Sequence, residues 1–123
     1  MSAGKTLGLL KSLQAGLAIA EGNLLKFGAD DDTVVPATAG TDLLIGIAES
    51  DASIGERVGV QFSGIADVKA GGTITRGAFV SSDANGKAVA AVAGDRVIGF
   101  ATASAVLDDL VPVLVNVSRD RII

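Results

Sequence analysis

Apolar and small or polar residues alternate along two stretches of the chain, and this period of two predicts half-buried β-strands. Val58, Val60 and Phe62 form the first such pattern, and 111–117 repeats it with valine at every second position. The nearly continuous apolar run at 43–48 is typical of a strand that is buried on both faces. Strands of this length, with turn signals about every 8 to 12 residues, indicate an all-β sandwich or barrel.

Proline and Asn-Gly residues mark where several of these strands end. Pro36 ends a short strand over 33–35 or places it at a sheet edge. The Asn85-Gly86 pair predicts a tight hairpin, because both residues accept positive φ. Pro112 cannot donate a hydrogen bond to a ladder, so we expect its strand to lie at an edge or to start there.

One short sequence pattern occurs twice. The run Leu-Ile-Gly-Ile-Ala at 44–48 returns as Val-Ile-Gly-Phe-Ala at 97–101, and the alternating strands that follow the two copies match at the same offset. A repeated unit defines the architecture of a chain. We therefore expect Gly46 and Gly99 to lie in equivalent buried strands.

The segments before these runs match as well, at a slightly larger offset. Residues 15–25 correspond to 70–80 in their pattern of glycine, alanine and aliphatic residues. A small difference in loop length reconciles the two offsets, and loops tolerate such differences at little cost. The sequence thus predicts two β units, residues 15–64 and 70–117, that superpose on each other.

The predicted fold class is all-β: a small sandwich or barrel, similar to a β-tulip, built from two repeated units and preceded by an extended arm. The arm is residues 1–14, and residues 15–123 form a single β domain. Helix, if present, is confined to the arm or to 101–110. We expect the arm to be loosely packed in the free protein and to add to a sheet edge of a partner. Its candidate contact residues are Lys5, Thr6, Leu7, Leu9, Leu10 and Leu13.

The composition indicates association with a partner. Hydrophobic residues make up 49% of the chain and the mean hydropathy is +0.52, although aromatic residues make up only 3%. A chain of this size has more aliphatic surface than a small monomer usually hides, which favours an oligomer or a docked protein. Leu114, Ile122 and Ile123 are the candidate oligomer contacts.

Charge and missing residue types exclude several functions. The net charge is −4 and the pI about 4.6, whereas a nucleic-acid surface needs a basic stripe and stacking aromatics. Cysteine and histidine are absent, which excludes thiol catalysis, disulfides and His-ligated metals. No apolar run reaches the roughly 18 residues of a membrane span. A secretory signal cleaved after Ala20 is an alternative that would remove part of the first repeat. We expect no cofactor.

The short motifs that suggest chemistry lack their required context. Gly4-Lys5-Thr6 has the end of a phosphate-binding loop, but the chain is too short before it for the rest of the motif. Asp30, Asp31 and Asp32 are adjacent, and such a run is more typical of a solvated turn than of a calcium site.

Residues 68–80 resemble a run found in biotinyl and lipoyl carrier domains, which are also built from two β halves. In those carriers a modified lysine stands at a hairpin tip with characteristic neighbours. Lys87 is the lysine at a predicted hairpin here, and its neighbours Gly86 and Ala88 do not match. A carrier-like fold remains an alternative, without carrier function.

A second resemblance covers about residues 15–117. The Gly-x-x-Val step at 77–80, the Asp/Asn-Gly turn at 83–86, Ile-Gly-Phe-Ala at 98–101 and the valine strand at 111–117 together resemble the small capsid decoration, or cement, proteins of tailed bacteriophages. That resemblance implies a trimer that binds the major capsid protein on the outer surface of the virion at three-fold or quasi-three-fold positions. It implies stabilisation of the shell, synthesis in the host cytoplasm and no catalytic residues.

Two other function classes remain open from the sequence. A carbohydrate-binding or adhesin module is one, although the chain has no Trp or Tyr to form a sugar platform. An enzyme is the other, and it would have to work with Asp, Glu, Lys and Ser alone.

Overall fold

The computed structural model describes residues 6–116, and the described chain is all-β. The described residues form no helix, and therefore no helix that is long and apolar enough to span a membrane. Eleven strands follow one another along the chain. Their bounds are β1 Thr6–Leu7, β2 Leu10–Ala15, β3 Leu24–Phe27, β4 Thr33–Pro36, β5 Gly46–Ala48, β6 Arg57–Gln61, β7 Ser63–Lys69, β8 Phe79–Ser82, β9 Ala88–Ala90, β10 Gly99–Ala101 and β11 Leu110–Asn116.

The first unit, residues 10–61, is a closed five-stranded barrel in the order β2-β4-β3-β5-β6. Its pairs are antiparallel except for β2 and β4, which run parallel and close the barrel. Every second residue of the strands points inward, and these inward residues form one apolar core. That core consists of Leu13, Ala15, Ile19, Leu25, Val34, Ile45, Ala48, Ala52, Val58 and Val60.

The second unit, residues 63–116, forms a sheet to which β1 adds at one edge, in the order β1-β7-β11-β10-β8-β9. Its core includes Val68, Ala70, Ile74, Val80, Ala88, Ile98, Ala101, Ala105, Val111 and Val113. These residues occupy, one for one, places equivalent to those of the first unit's core residues. The fold class of two repeated β units is therefore confirmed.

Strand register shows the same equivalence. Leu13 pairs with Val58 in the first unit, and their counterparts Val68 and Val111 pair in the second. Gly46 and Gly99 are both buried, and each begins a strand that lies between two equivalent neighbours. The repeat thus extends to individual hydrogen-bonded positions.

An extended arm over residues 1–14 is not confirmed. Residues 10–14 belong to β2, which pairs along its length with β6 and at its end with β4. Leu13 is buried in the barrel core, just as Val68, the equivalent residue of β7, is buried in the second unit's core. Before it, β1 pairs with Ile65 and Gly64 of β7. Residues 1–5 lie outside the described part of the chain.

The two units differ at the seam that closes the barrel. In the first unit the Gln14 N–H donates directly to the Asp32 carbonyl at 2.7 Å. In the second, residues 22–24 of the first unit stand at the equivalent place, and we term them the bridging segment. The Lys69 N–H donates to the Gly22 carbonyl at 3.0 Å, and the Leu24 N–H donates to the Gly86 carbonyl at 2.8 Å.

The bridging segment also joins the two cores. Leu24 is fully buried in the second unit's core, and Ala37, Leu44 and Ile47 of the first unit pack in the same cluster. Gly22 has φ +86°, and a Cβ there would lie 2.9 Å from the Lys69 nitrogen. A glycine is therefore required where the segment passes β7.

A second connection between the units runs through the loop at 38–42. The Gly40 carbonyl accepts hydrogen bonds from the Arg96 N–H and the Ser81 hydroxyl. Asp42 holds the loop in place: it accepts the Thr38 N–H at 2.9 Å and lies 3.1 Å from the Lys26 ammonium. Burial raises the pKa of Asp42, but these hydrogen bonds and the Lys26 charge outweigh burial and hold the pKa below its ordinary value.

The prediction that Pro112 places its strand at an edge is wrong. β11 has β7 on one side and β10 on the other, and it begins at Leu110. The Pro112 carbonyl accepts the Thr102 N–H at 2.8 Å. The backbone nitrogen and oxygen of a strand residue point toward the same neighbouring strand. The Pro112 nitrogen therefore points to the β10 side, beyond Ala101, the last residue of β10. No ladder hydrogen bond to β7 is lost.

The predicted hairpin at Asn85-Gly86 joins β8 and β9, but its geometry differs from the expectation. Gly86 has φ +72°, whereas Asn85 is not among the described residues with positive φ. The Asp83 carboxylate accepts the N–H groups of Asn85 and Lys87 and holds the turn instead. Residues 102–109, where helix was an alternative, form a turn with an isolated bridge from Ala105 to Ile74.

We predict that Gly99→Ala destabilises the protein strongly. A Cβ at Gly99 would overlap the Leu114 carbonyl of the neighbouring strand, so backbone would have to move. The free energy of unfolding, measured by urea denaturation, should fall by about 3 kcal/mol or more. Gly72→Ala is the matched control, because Gly72 has nothing within 4 Å of the added carbon. It should change stability little or raise it by up to about 1 kcal/mol. Equal effects of the two variants would contradict the close packing of β10 on β11.

Asp42→Asn should lower stability in a pH-dependent way. The folded-state pKa of Asp42 is depressed, so its stabilisation is present above the ordinary value of 3.8 and is lost as pH falls through the folded pKa. At neutral pH we expect a loss of about 1 kcal/mol, which disappears in acid. Thermal melts of both proteins from pH 7 to pH 3 measure this difference. Asp31→Asn, on an exposed loop, is the control, and a constant difference at all pH values would exclude the assigned role.

Candidate functional site

An apolar row crosses the outer face of the second unit. Phe79 pairs with Phe100, Phe100 with Leu114, and Leu114 with Ile65, on four successive strands. Residues directly opposite each other on paired strands point to the same face. We call these four residues the outer row.

The outer row is apolar and partly exposed to solvent. Phe79 is 39% exposed, and the other three members are partly exposed. The next residue along each strand, such as Val80 or Val113, is fully buried on the inner face. The outer positions of a sheet with one solvated face are ordinarily polar. Four adjacent large apolar residues at such positions indicate a contact surface.

The first unit shows what happens to the equivalent face. The counterparts of Phe79, Phe100 and Leu114 are Leu24, Ile47 and Gln61, and all three are buried. Leu24 and Ile47 pack into the second unit's core, and the Gln61 amide donates to the Ser63 carbonyl at 2.9 Å. This face of the fold is therefore an interface in the first unit and is partly exposed in the second.

The start of the described chain lies at one end of the outer row. Thr6 of β1 pairs with Ile65, and Leu7 pairs with Gly64. Leu9 is then fixed by two hydrogen bonds: its N–H donates to the Ser63 hydroxyl at 2.9 Å and its carbonyl accepts the Phe62 N–H at 2.8 Å. The Leu9 side chain is 66% exposed despite this fixed backbone.

The structure separates the residues predicted from the sequence as contacts. Leu114 lies in the outer row, and Leu9 and Leu10 are exposed beside the start of β7. Leu13 is buried, so its side chain is not available to a partner. Lys5, Ile122 and Ile123 lie outside the described residues. The sequence analysis did not identify Phe79, Phe100 and Ile65 as contacts. Each lies on a strand of the second unit, next to a core position, so the repeat pattern could have placed them on the same outer face as Leu114.

A groove of about 640 Å³ lies between the barrel and the β8–β9 hairpin. It is lined by Leu17, Asn23, Asp51 and Glu56 among others. Its carboxylates already have structural roles: Asp51 accepts the Glu21 N–H, and Glu56 accepts the Ser53 N–H. Both carboxylates therefore hold backbone groups of neighbouring turns.

The acidic run at 30–32 closes a turn. The Asp30 carboxylate accepts the Asp32 N–H at 3.0 Å, and hydrogen bonds from the Thr33 side chain and from this N–H lower the Asp30 pKa. Asp32 pairs with Arg57 at 2.6 Å. No group of three acidic residues within 6–116 could hold a metal ion together.

The chain has similar proteins among families and structures already known. The family model described as phage cement protein matches residues 13–117. Among solved structures, the head fiber gp8.5 N base of bacteriophage phi29 is similar at a TM-score of 0.73, with 22% identity over 92% of this chain and 98% of that chain. At this identity the likeness shows a shared fold. No curated protein matches the sequence.

Proposed function

Because the chain belongs to the phage cement protein family, we propose that it is a structural virion protein that binds the outer surface of a phage capsid as an oligomer and stabilises the shell. Its partners in this proposal are the major capsid protein and further copies of itself, in a homotrimer. The family is structural, and the proposal assigns no catalytic residue.

The observation that carries the proposal is the difference between two equivalent faces. The face around Leu24 and Ile47 is buried between the units, whereas its counterpart, the outer row, is partly exposed. The row is apolar and carries no charge, so a partner that covers it gains the hydrophobic contribution of burying Phe79, Phe100, Leu114 and Ile65. We assign this face to contacts between copies.

The capsid contact is assigned to the N-terminal segment. Leu9 and Leu10 are exposed on a backbone that hydrogen bonds hold in place, so ordering them on a partner costs little backbone entropy. Lys5, Thr6 and Leu7 remain proposed contacts of the same kind, and the tail residues Ile122 and Ile123 remain proposed contacts between copies.

Shell stabilisation follows from binding across subunits. A ligand that binds only the assembled state stabilises that state by mass action. An oligomer that touches several capsid subunits at once gains from multivalency and opposes their separation.

The direct test adds the purified protein to capsid shells that lack it. We expect the protein to sediment with the shells and to raise the temperature at which they open. A protein that remains in the supernatant, with no change in that temperature, would contradict the proposed function.

Leu114→Ser combined with Phe100→Ser should weaken the oligomer and leave the monomer folded, because both side chains are partly exposed. Only the exposed part of each side chain is newly buried in the oligomer, so the gain is smaller than the roughly 1.5 to 3 kcal/mol of a fully buried apolar side chain, and the dissociation constant should rise about 10-fold or more. Sedimentation equilibrium measures it. Phe27→Ser, an exposed aromatic residue outside the row, is the control and should leave the oligomer unchanged. Unchanged association of the double variant would place the interface elsewhere.

A further inference from the structure

Two turns of the chain have the same construction at equivalent places in the two units. The turn at 53–56 precedes β6, and the turn at 106–109 precedes β11. In the first, the Glu56 N–H donates to the Ser53 carbonyl at 3.0 Å, and in the second the Asp109 N–H donates to the Val106 carbonyl at 3.1 Å. The side chains of Glu56 and Asp109 each accept the N–H three residues earlier.

The third residue of each turn is in the left-handed region and is hydrogen-bonded to its own unit. Gly55 has φ +89° and Asp108 has φ +68°. Their N–H groups donate to the Ala15 and Ala70 carbonyls, both at 2.8 Å. Left-handed backbone is unfavourable for an ordinary side chain but is tolerated by aspartate, and Lys87 pairs with Asp108 at 3.0 Å. The turn shape is thus kept in both units, with and without glycine.

The second residue of each turn is a large aliphatic residue that contacts little. Ile54 is 68% exposed and its counterpart Leu107 is 58% exposed. Turns of this kind are usually occupied by polar residues, glycine or proline, and neither side chain belongs to a core cluster. Each is held outward on a rigid turn. We call Ile54 and Leu107 the paired tips.

Carboxylates lie near both tips along the chain, and one of them, Asp108, is paired with Lys87. Asp51 and Glu56 flank Ile54, and Asp108 and Asp109 follow Leu107. Their negative charge favours a receptor whose apolar pocket has Lys or Arg at its rim.

We propose that the paired tips are docking points that insert into two identical apolar pockets with basic rims, one on each of two neighbouring capsid subunits. This inference rests on the proposed function. Two equivalent ligands on one chain match a receptor that presents one site repeatedly, and a shell built from many copies of one subunit does so. Binding at both tips is bivalent, so the second contact forms at high effective concentration.

The test compares Ile54→Ser, Leu107→Ser and the double variant with the wild-type protein, in binding to capsid shells that lack it. Each single variant should weaken binding by a similar factor, about 10- to 100-fold, and the double variant should lose binding further. Val92→Ser is the matched control, since Val92 is 65% exposed but lies outside both turns. It should bind like the wild type. Thermal melts and sedimentation equilibrium should be unchanged in all variants.

Binding should also weaken as salt is raised, because the carboxylates meet a basic rim. If the double variant binds shells as tightly as the wild-type protein, the paired tips are not docking points, and the proposed function is unaffected. Wild-type protein that does not bind shells would overturn both. Loss of binding in only one single variant, or affinity independent of salt, would contradict two identical pockets with basic rims.

Discussion

The bridging segment, residues 22–24, is the constraint on which the rest of the structure depends. It accepts a hydrogen bond from Lys69 and donates one to Gly86. At the equivalent position of the first unit, Gln14 donates directly to Asp32. Backbone groups buried at such a seam need partners, since an unpaired one costs about 1 to 3 kcal/mol. At these two positions the second unit depends on the first for its hydrogen bonds, whereas the neighbouring Gly71 N–H donates directly to the Ala88 carbonyl at 2.7 Å. Through Leu24 and Ile47 the second unit also depends on the first for part of its core.

This dependence explains why two units of one design expose different surfaces. The outer face of the first unit is used internally to complete the second, and the same face of the second unit remains as the outer row. The two units are therefore not interchangeable. Within one chain the face of the first unit is covered by the second unit, and the same face of the second unit stays partly exposed and apolar, which is expected of a protein that associates. The turns around Ile54 and Leu107 remain outside this contact in both units and keep their equivalent exposure.

Much of the fold could be predicted from the sequence because the residues that repeat are those that form the two cores. Gly46 and Gly99 lie against neighbouring carbonyls, and the valine strands alternate, so both signals are local. The strand β2 could not be recognised, because Lys11 and Ser12 differ in character from their counterparts Ala66 and Asp67 while the pairing is the same. Burial of Leu13 depends on that pairing. The outer row required knowledge of register across four strands, which a linear pattern does not contain.

The central claim is that the bridging segment makes the two units one cooperative structure. Native-state hydrogen exchange tests this most directly, because it reports the free energy at which each amide opens. The account predicts that the Leu24 and Lys69 amides exchange only with global unfolding, at the same free energy as core amides of both units such as Val60 and Val113. Exchange of the second unit's core by a separate opening, of lower free energy than that of the first unit, with the Leu24 and Lys69 amides exchanging early, would contradict it.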